Sequence, residues 1–222
     1  MGATASTVAV IGSGAVGAYY GARLAESGHG VKFFMRDEHY RHCAAHGINV
    51  TSVDGDIYIP STELQVYNDV KSIGQVDWVI LAIKSSSSLD SVPALIESLL
   101  TEDTRILAIM NGLIDDDIVE LLKPLPYAAV YGGMAFICSN RLSPGRIDHS
   151  FYGSLNGGLA SPILYGNTVA YEEHMGVLEA LWAGTKVEFT SVPCLTHGRW
   201  QKNCWNLPFS GEFNYFYSCI AC

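Results

Sequence analysis

One stretch decides the fold: Val8-Ala9-Val10-Ile11-Gly12-Ser13-Gly14-Ala15-Val16-Gly17, near the start of the 222-residue chain. The apolar run before the first glycine is typical of a buried parallel strand, and the small residues after the third predict a helix. Gly12 permits a tight turn, Gly14 lets a pyrophosphate approach the backbone, and Gly17 lets the helix lie close to the strand. The N–H groups at the helix N-terminus would bind the phosphates. The alternative is an ordinary tight turn, but the flanking elements favour an α/β, Rossmann-type NAD(P)-binding domain. Its predicted cofactor contacts are Gly12, Ser13, Gly14, Ala15, Val16 and Gly17.

Composition excludes several classes of protein. The chain is 49% hydrophobic and carries a net charge of −9, which permits a sizeable core and argues against a general nucleic-acid-binding protein. No apolar run approaches the ~20 residues that a transmembrane helix needs, and the first apolar run is the glycine-motif strand rather than a signal peptide. The six scattered cysteines suit reduced thiols. We therefore expect a cytoplasmic protein with no nucleic-acid or membrane partner.

The end of the second predicted strand points to the type of cofactor. The strand Val31–Met35 is followed by Arg36, where an NAD-binding site normally has an acidic residue for the ribose hydroxyls. An arginine favours the 2′-phosphate of NADP(H), and Arg41 could contribute. The neighbouring acidic residue Asp37 argues against this preference. The alternative interpretation is that Arg36 is only a solvated residue at the end of the strand. The position favours NADP(H) over NAD.

Two further strands end in polar residues. The predicted strand 77–83 is followed by Lys84, and the strand 104–110 by Asn111. The carboxyl ends of parallel strands form the ligand-binding edge of open α/β sheets, so both residues become site candidates. The alternatives are a solvated loop lysine and an ordinary Asn-Gly turn. Between these strands, Ser85–Ser88 is predicted to cap a helix that runs to Leu100.

Three histidines, His39, His42 and His46, would share one helix face. No carboxylate or thiolate completes a tetrahedral metal site with them, so a polar surface helix without metal is the better interpretation. Residues 47–60 predict a small hairpin that turns at Asp54-Gly55.

The second half predicts antiparallel or mixed strands that complete the sheet. The strands are 128–138 and 146–152, and the Gly- and Ser-rich segment 153–162 is predicted to be a loop. A helix over 175–183 and a short strand over 186–190 follow.

The segment Thr196–Ser210 can be helical before Pro208. Lys202 and Asn206 are then four residues apart on one helix face. A lysine beside an amide in a nucleotide cleft could protonate a developing alkoxide. On spacing alone, a solvated amphipathic helix is the favoured alternative.

Taken together, these motifs resemble the ketopantoate reductase (2-dehydropantoate 2-reductase) family from about residue 7 to residue 211. The resembling segments are Gly12 to Gly17, Arg36, Val79 to Lys84, Met110-Asn111-Gly112, Gly132-Gly133, Pro144 to His149 and Trp200 to Ser210. The resemblance implies NADPH-dependent reduction of a 2-oxo acid, ketopantoate to pantoate, in pantothenate and coenzyme A synthesis. It implies that Lys202 is the general acid, with Asn206 in the substrate pocket and with Asn111 binding near both the nicotinamide of the cofactor and the substrate. Arg36 would bind the 2′-phosphate, and Lys84 would lie near the cofactor.

The resemblance also implies a domain division. We expect an NADP-binding domain over residues 1–192 and, over residues 193–222, only the start of a helical substrate and dimerisation domain. The tail after Gly211 resembles no continuation of the family pattern, so a truncated chain with a weakened homodimer is expected. Cys219 and Cys222 are interpreted as a chance pair. A non-catalytic NADP-binding remnant and a reductase of another 2-oxo acid remain alternative hypotheses.

Overall fold

A computed structural model of the chain describes residues 5–84, 89–160 and 168–212. The helices within these ranges are α1 (Ala15–Glu26), α2 (Asp37–His46), α3 (Val92–Ile96), α4 (Asp115–Leu122), α5 (Thr168–Trp182) and α6 (Leu195–Glu212). The strands are β1 (Thr7–Ile11), β2 (Gly30–Phe34), β3 (Ile48–Ser52), β4 (Ile57–Ile59), β5 (Gln65–Tyr67), β6 (Trp78–Leu81), β7 (Arg105–Ile109), β8 (Ala129–Ser143), β9 (Arg146–Leu159) and β10 (Phe189–Ser191).

The strands form one mixed sheet in the order β4-β3-β9-β8-β7-β6-β1-β2-β5, and β10 pairs with β9. From β5 across to β8, every neighbouring pair is parallel. The pairs β8–β9 and β3–β4 are antiparallel. The predicted Rossmann-type domain, completed by mixed and antiparallel strands, is thus confirmed. The predicted hairpin over residues 47–60 is β3–β4.

Both faces of the central strands are covered, which explains why their sequences are continuously apolar. In β1, Val8 and Val10 face a core that includes α1 and α5, whereas Ala9 and Ile11 face a core that includes α3 and α4. All four side chains are fully buried. Each buried Val or Ile contributes about 1.5–3 kcal/mol relative to an exposed position.

The sheet curls around α1, which packs against β2, β8 and β9. Residues 17–24 of this helix are buried without interruption. A Cβ at Gly21 would lie 2.5 Å from the Phe33 ring, so the small residues let the helix approach the sheet. This packing fixes the N-terminus of α1 at the carboxyl end of β1.

The predicted loop over residues 153–162 is wrong as far as Leu159, because β9 continues through it. Its glycines serve close packing rather than a turn. A Cβ at Gly157 would lie 3.0 Å from the Phe189 ring, and one at Gly158 would lie 2.8 Å from the Val192 carbonyl oxygen. Gly153 has φ +115°, next to an irregularity in the β8–β9 pairing.

Other element boundaries differ modestly from the predictions. The predicted strand 77–83 is shorter, as β6, and the predicted strand 186–190 begins later, as β10. The last helix continues through Pro208 to Glu212, although Pro208 has no N–H to donate to the preceding turn. The cap at Ser85–Ser88 and the pair Cys219 and Cys222 lie outside the described residues. No helix in the described parts of the chain is long and apolar enough to cross a membrane.

Candidate functional site

The glycine loop joins β1 to α1 in the geometry that its sequence predicts. Gly12 has φ +99°, and the Gly14 N–H donates to the Gly12 carbonyl at 2.8 Å. Gly14 is the N-cap of α1, where no side chain caps the helix and no acidic residue lies in the first turn. Ala15 and Val16 form that first turn. The helix N-terminus therefore keeps its positive dipole end uncompensated.

The three glycines have different surroundings. A Cβ at Gly12 would lie 2.5 Å from the Ala82 carbonyl oxygen, and one at Gly17 would lie 2.4 Å from the Gly12 carbonyl oxygen. Among the described residues, no atom lies within 4 Å of a Cβ placed at Gly14. Gly12 and Gly17 are thus needed for close packing of the backbone, whereas Gly14 faces open space. This open space over an uncapped helix N-terminus fits the pyrophosphate of a dinucleotide.

The Ser13 hydroxyl forms a hydrogen bond within the protein and does not contribute to the open face of the loop. Ser13 is buried, and its Oγ donates to the Phe34 carbonyl at 2.9 Å. This bond ties the glycine loop to the carboxyl end of β2. If Ser13 binds a cofactor, it does so through its backbone.

His39 contacts the glycine loop, so the predicted polar surface helix is partly buried at this histidine. Its Nε2 donates to the Ser13 carbonyl at 3.0 Å, and the Gly145 N–H donates to its Nδ1 at 3.3 Å. These partners require the neutral tautomer with hydrogen on Nε2. His39 is half-buried, whereas His46 is exposed. The ring therefore connects the glycine loop to the β8–β9 turn. Within the described residues, no group of three or more His, Cys, Asp or Glu could hold a metal ion.

Four adjacent parallel strands place the remaining candidates at one sheet edge. The order is β2-β1-β6-β7, and Arg36, Lys84 and Asn111 follow the carboxyl ends of β2, β6 and β7. All three are exposed. The Arg36 guanidinium lies 5.4 Å from the centroid of the Phe34 ring, beside the glycine loop that follows β1. The strands thus bring these side chains to the edge where α/β sheets bind ligands.

Lys202 reaches this edge from α6. Its side chain is buried, and its Nζ lies 4.2 Å from the centroid of the Phe136 ring. Phe136 stands in β8 three residues beyond Gly133, which pairs with Ile109, the last residue of β7. Asn206 is half-buried one turn after Lys202 on the same helix. The amino group thus lies on an aromatic face just above the carboxyl edge, where a cation–π contact favours its protonated form.

The comparison with protein families agrees with this geometry. The family described as ketopantoate reductase PanE/ApbA matches residues 8–162, a range that begins at the second residue of β1, ends beyond β9 and includes the whole glycine loop. The chain belongs to the ketopantoate reductase family.

Individual relatives support the membership. The chain is 32% identical to a 2-dehydropantoate 2-reductase of Nostoc sp. over 212 residues, covering 91% of this chain and 61% of that protein. The crystal structure of 2-dehydropantoate 2-reductase from Geobacter metallireducens superposes with a TM-score of 0.78 at 33% identity, covering 92% of this chain and 64% of the other. A ternary structure of D-mandelate dehydrogenase with NADH and anilino(oxo)acetate shares the fold, with a TM-score of 0.75 at 22% identity, covering 90% of this chain and 61% of the other. The chain thus spans about three fifths of the length of these relatives.

Sequence reasoning missed Arg199, a buried residue that holds the helix of this ketopantoate reductase family member at the sheet edge. Arg199 is 2% exposed, and its Nε and Nη2 donate to the two carboxylate oxygens of Asp115 at 2.9 and 2.7 Å. An arginine on an amphipathic helix is ordinarily a solvated residue, so composition gives no hint of this burial. The sequence signal that could have indicated a role for Arg199 is its position three residues before Lys202, on the same helix face.

Four buried or half-buried histidines predict acid sensitivity of the fold. Burial is the main cause that lowers the pKa values of His29, His39, His149 and His174. Arg141 lowers the pKa of His39 further. Because these folded-state values lie below the unfolded value of 6.5, the unfolded chain binds more protons at mildly acidic pH. We therefore expect the free energy of unfolding to fall as the pH decreases from about 7.5 to about 5.5.

Urea unfolding at several pH values in this window measures the effect. Glu26, whose pKa is lowered by Lys186 and Arg23 against the opposing effect of burial, loses its stabilising charge only at more acidic pH and does not interfere. His39→Gln is expected to reduce the pH dependence, because it removes one of these groups. A free energy of unfolding that is constant or increases on acidification would contradict the prediction.

Proposed function

We propose that this chain binds NADPH and reduces a small 2-oxo acid, with ketopantoate as substrate and pantoate as product. The observation that carries the proposal is the buried Lys202, placed against Phe136 just above the carboxyl edge. The glycine loop opens at the same edge. Family membership over residues 8–162 supports this assignment.

The proposed chemistry divides between cofactor and protein. When bound, the nicotinamide supplies the hydride that reduces the carbonyl carbon. Lys202 donates its ammonium proton to the carbonyl oxygen as negative charge develops there. Asn206, one helix turn later, and Asn111, after β7, supply amide groups that hydrogen-bond the substrate. The Phe136 ring keeps the ammonium close to the edge and shields it from solvent.

The glycine loop and the strand ends hold the cofactor in this proposal. The N–H groups of the first turn of α1 bind the pyrophosphate, and the missing side chain at Gly14 gives it room. Lys84, exposed after β6, adds a positive charge near the cofactor. In a chain of net charge −9, the few cations at this edge supply the local attraction for an anionic cofactor.

Arg36 is proposed to select NADPH over NADH. The described residues offer it no carboxylate partner within ion-pair distance, and its guanidinium is exposed beside the loop. Arg36→Ala is expected to weaken NADPH binding by about 10- to 100-fold, the effect of losing charge-assisted hydrogen bonds to a phosphate, with little effect on NADH. Cofactor titrations followed by NADPH fluorescence measure both affinities. Arg146→Ala, an exposed arginine on β9, is the control, and an equal loss for NADPH and NADH would contradict the assignment.

The proposed function is tested on the purified chain by two measurements. NADPH binding is followed by fluorescence, and ketopantoate-dependent NADPH oxidation is followed by absorbance. Binding with turnover supports the full proposal. Binding without turnover favours an NADP-binding protein that lacks catalytic activity. Turnover of another 2-oxo acid in place of ketopantoate would show that the proposed substrate is wrong and that the proposed reaction is right. Absence of NADPH binding would overturn the proposal.

A further inference from the structure

The buried Arg199 side chain makes hydrogen bonds to several elements of the fold. Besides its two bonds to Asp115, its Nη1 donates to the Met110 carbonyl and, at 3.2 Å, to the Gly133 carbonyl. Its Nη2 also donates to the Ala108 carbonyl at 3.3 Å. One guanidinium therefore connects α6 to the N-terminus of α4, to the end of β7 and to β8.

The residues around the Arg199–Asp115 ion pair leave room for it and favour its charges. A Cβ at Gly132 would lie 2.5 Å from Asp115 Oδ1 and 2.9 Å from Arg199 Nη2, so the glycine makes room for the ion pair. The side chain of Asp115 is 12% exposed and that of Arg199 is 2% exposed. Asp115 also lies in the first turn of α4, where a carboxylate is favoured by the helix dipole.

Two of the proposed site residues, Asn111 and Lys202, lie next to this network of Arg199 contacts. Met110, whose carbonyl it binds, immediately precedes Asn111. Lys202 follows Arg199 by three residues on α6, which places both on one helix face. Displacing the guanidinium would therefore shift Lys202 and Asn111 relative to one another.

Stability alone does not account for such a pair. A buried ion pair pays a desolvation cost that often cancels its attraction, and apolar residues frequently stabilise as well. A bidentate fork that also reaches three carbonyls does, however, define a unique register between a helix and a sheet edge. We propose that Arg199 and Asp115 form a positioning pair that sets Lys202 and Asn111 for catalysis. This proposal rests on the proposed function for its kinetic consequence.

The kinetic test compares Arg199→Met and Asp115→Asn with the unchanged chain, at a temperature well below the unfolding midpoint of each variant. We expect kcat for ketopantoate reduction to fall about 10- to 100-fold, since a misplacement of about 1 Å has effects of this size. The Kd for NADPH should change less than about twofold, because the glycine loop lies on other elements. Arg199→Lys should not restore kcat, since a lysine keeps the charge but lacks the planar fork. A merely stabilising role would lower the unfolding midpoint and leave kcat of the folded protein unchanged, which would overturn the proposal.

A second measurement does not depend on turnover. Lys202 is labelled with trace acetic anhydride and its acetylation is compared by mass spectrometry with that of Lys123, whose side chain is 73% exposed. Loss of the positioning pair should raise the relative labelling of Lys202 several-fold. Asp117→Asn is the matched control, because Asp117 is an exposed acid in the same first turn of α4. Unchanged Lys202 labelling in both test variants would overturn the positioning role. If Lys202 labelling rises in the test variants but the unchanged chain does not reduce ketopantoate, the positioning role stands and the proposed function is overturned.

Discussion

Lys202→Met is expected to lower kcat for ketopantoate reduction by about 10²- to 10⁴-fold, the range contributed by a positioned general acid. Methionine keeps the apolar stem and approximate volume of the lysine against Phe136 but has no proton to donate. Because the glycine loop and Arg36 are untouched, the Kd for NADPH should stay within about twofold of the original value. Steady-state kinetics combined with NADPH fluorescence titration measure both quantities.

Gln201→Ala is the matched control for this variant. Gln201 is the exposed neighbour of Lys202 on α6, so its removal tests whether any change on this helix slows the reaction. We expect kcat to change less than about threefold, as for a surface residue away from the reacting atoms. Equal kcat values for Lys202→Met and the unchanged chain would refute the role of general acid.

The pH profile sharpens the same prediction. A lysine that acts as general acid must be protonated in the complex, so kcat should decrease at alkaline pH as the proton is lost. The residual activity of Lys202→Met should lack that decrease. A profile of the same shape in both proteins would place the proton donor elsewhere.

The cofactor half of the site is predictable because its determinants are local in sequence. The turn, the strand and the helix that define Gly12 to Gly17 lie within one short segment, and each leaves a recognisable pattern. Arg36, Lys84 and Asn111 follow buried apolar strands, so their common edge follows from the rule that parallel strands end on the same side. Their roles in binding stay predictions.

The features that sequence reasoning missed depend on partners far along the chain. Arg199 binds Asp115, which lies 84 residues earlier, and no local periodicity indicates that pairing. The same holds for His39, whose ring joins Ser13 to Gly145. Gly157 and Gly158 indicated a loop because glycine usually weakens a strand, whereas here the space is filled by Phe189 and Val192. Tertiary packing, rather than local propensity, decided each case.

The loop glycines differ in what they contribute to folding and to cofactor binding. Of the three, Gly14 alone has no atom of the described residues within 4 Å of its Cβ position. Gly12 has φ +99°, and its Cβ would approach three backbone atoms, the Ala82 carbonyl oxygen at 2.5 Å, the Ala82 carbonyl carbon at 2.6 Å and the Ile83 nitrogen at 2.8 Å. Backbone atoms at the end of a central strand cannot move aside as a flexible side chain would. Gly14 has φ −75° and ψ −156°, an extended backbone whose negative φ carries no left-handed strain.

Gly12→Ala is therefore expected to lower the free energy of unfolding by about 3 kcal/mol, from an unfavourable positive φ and overpacking against backbone together. Gly14→Ala should change stability by less than about 1 kcal/mol, yet weaken NADPH binding at least about tenfold, because its methyl group occupies the space proposed for the pyrophosphate. Urea unfolding and NADPH titration of both variants measure the contrast. A stable Gly12→Ala would show that the β1–α1 turn tolerates a side chain against Ala82. Undiminished NADPH affinity in Gly14→Ala would mean that the cofactor does not lie over the N-terminus of α1, and would remove the geometric basis for the proposed cofactor site.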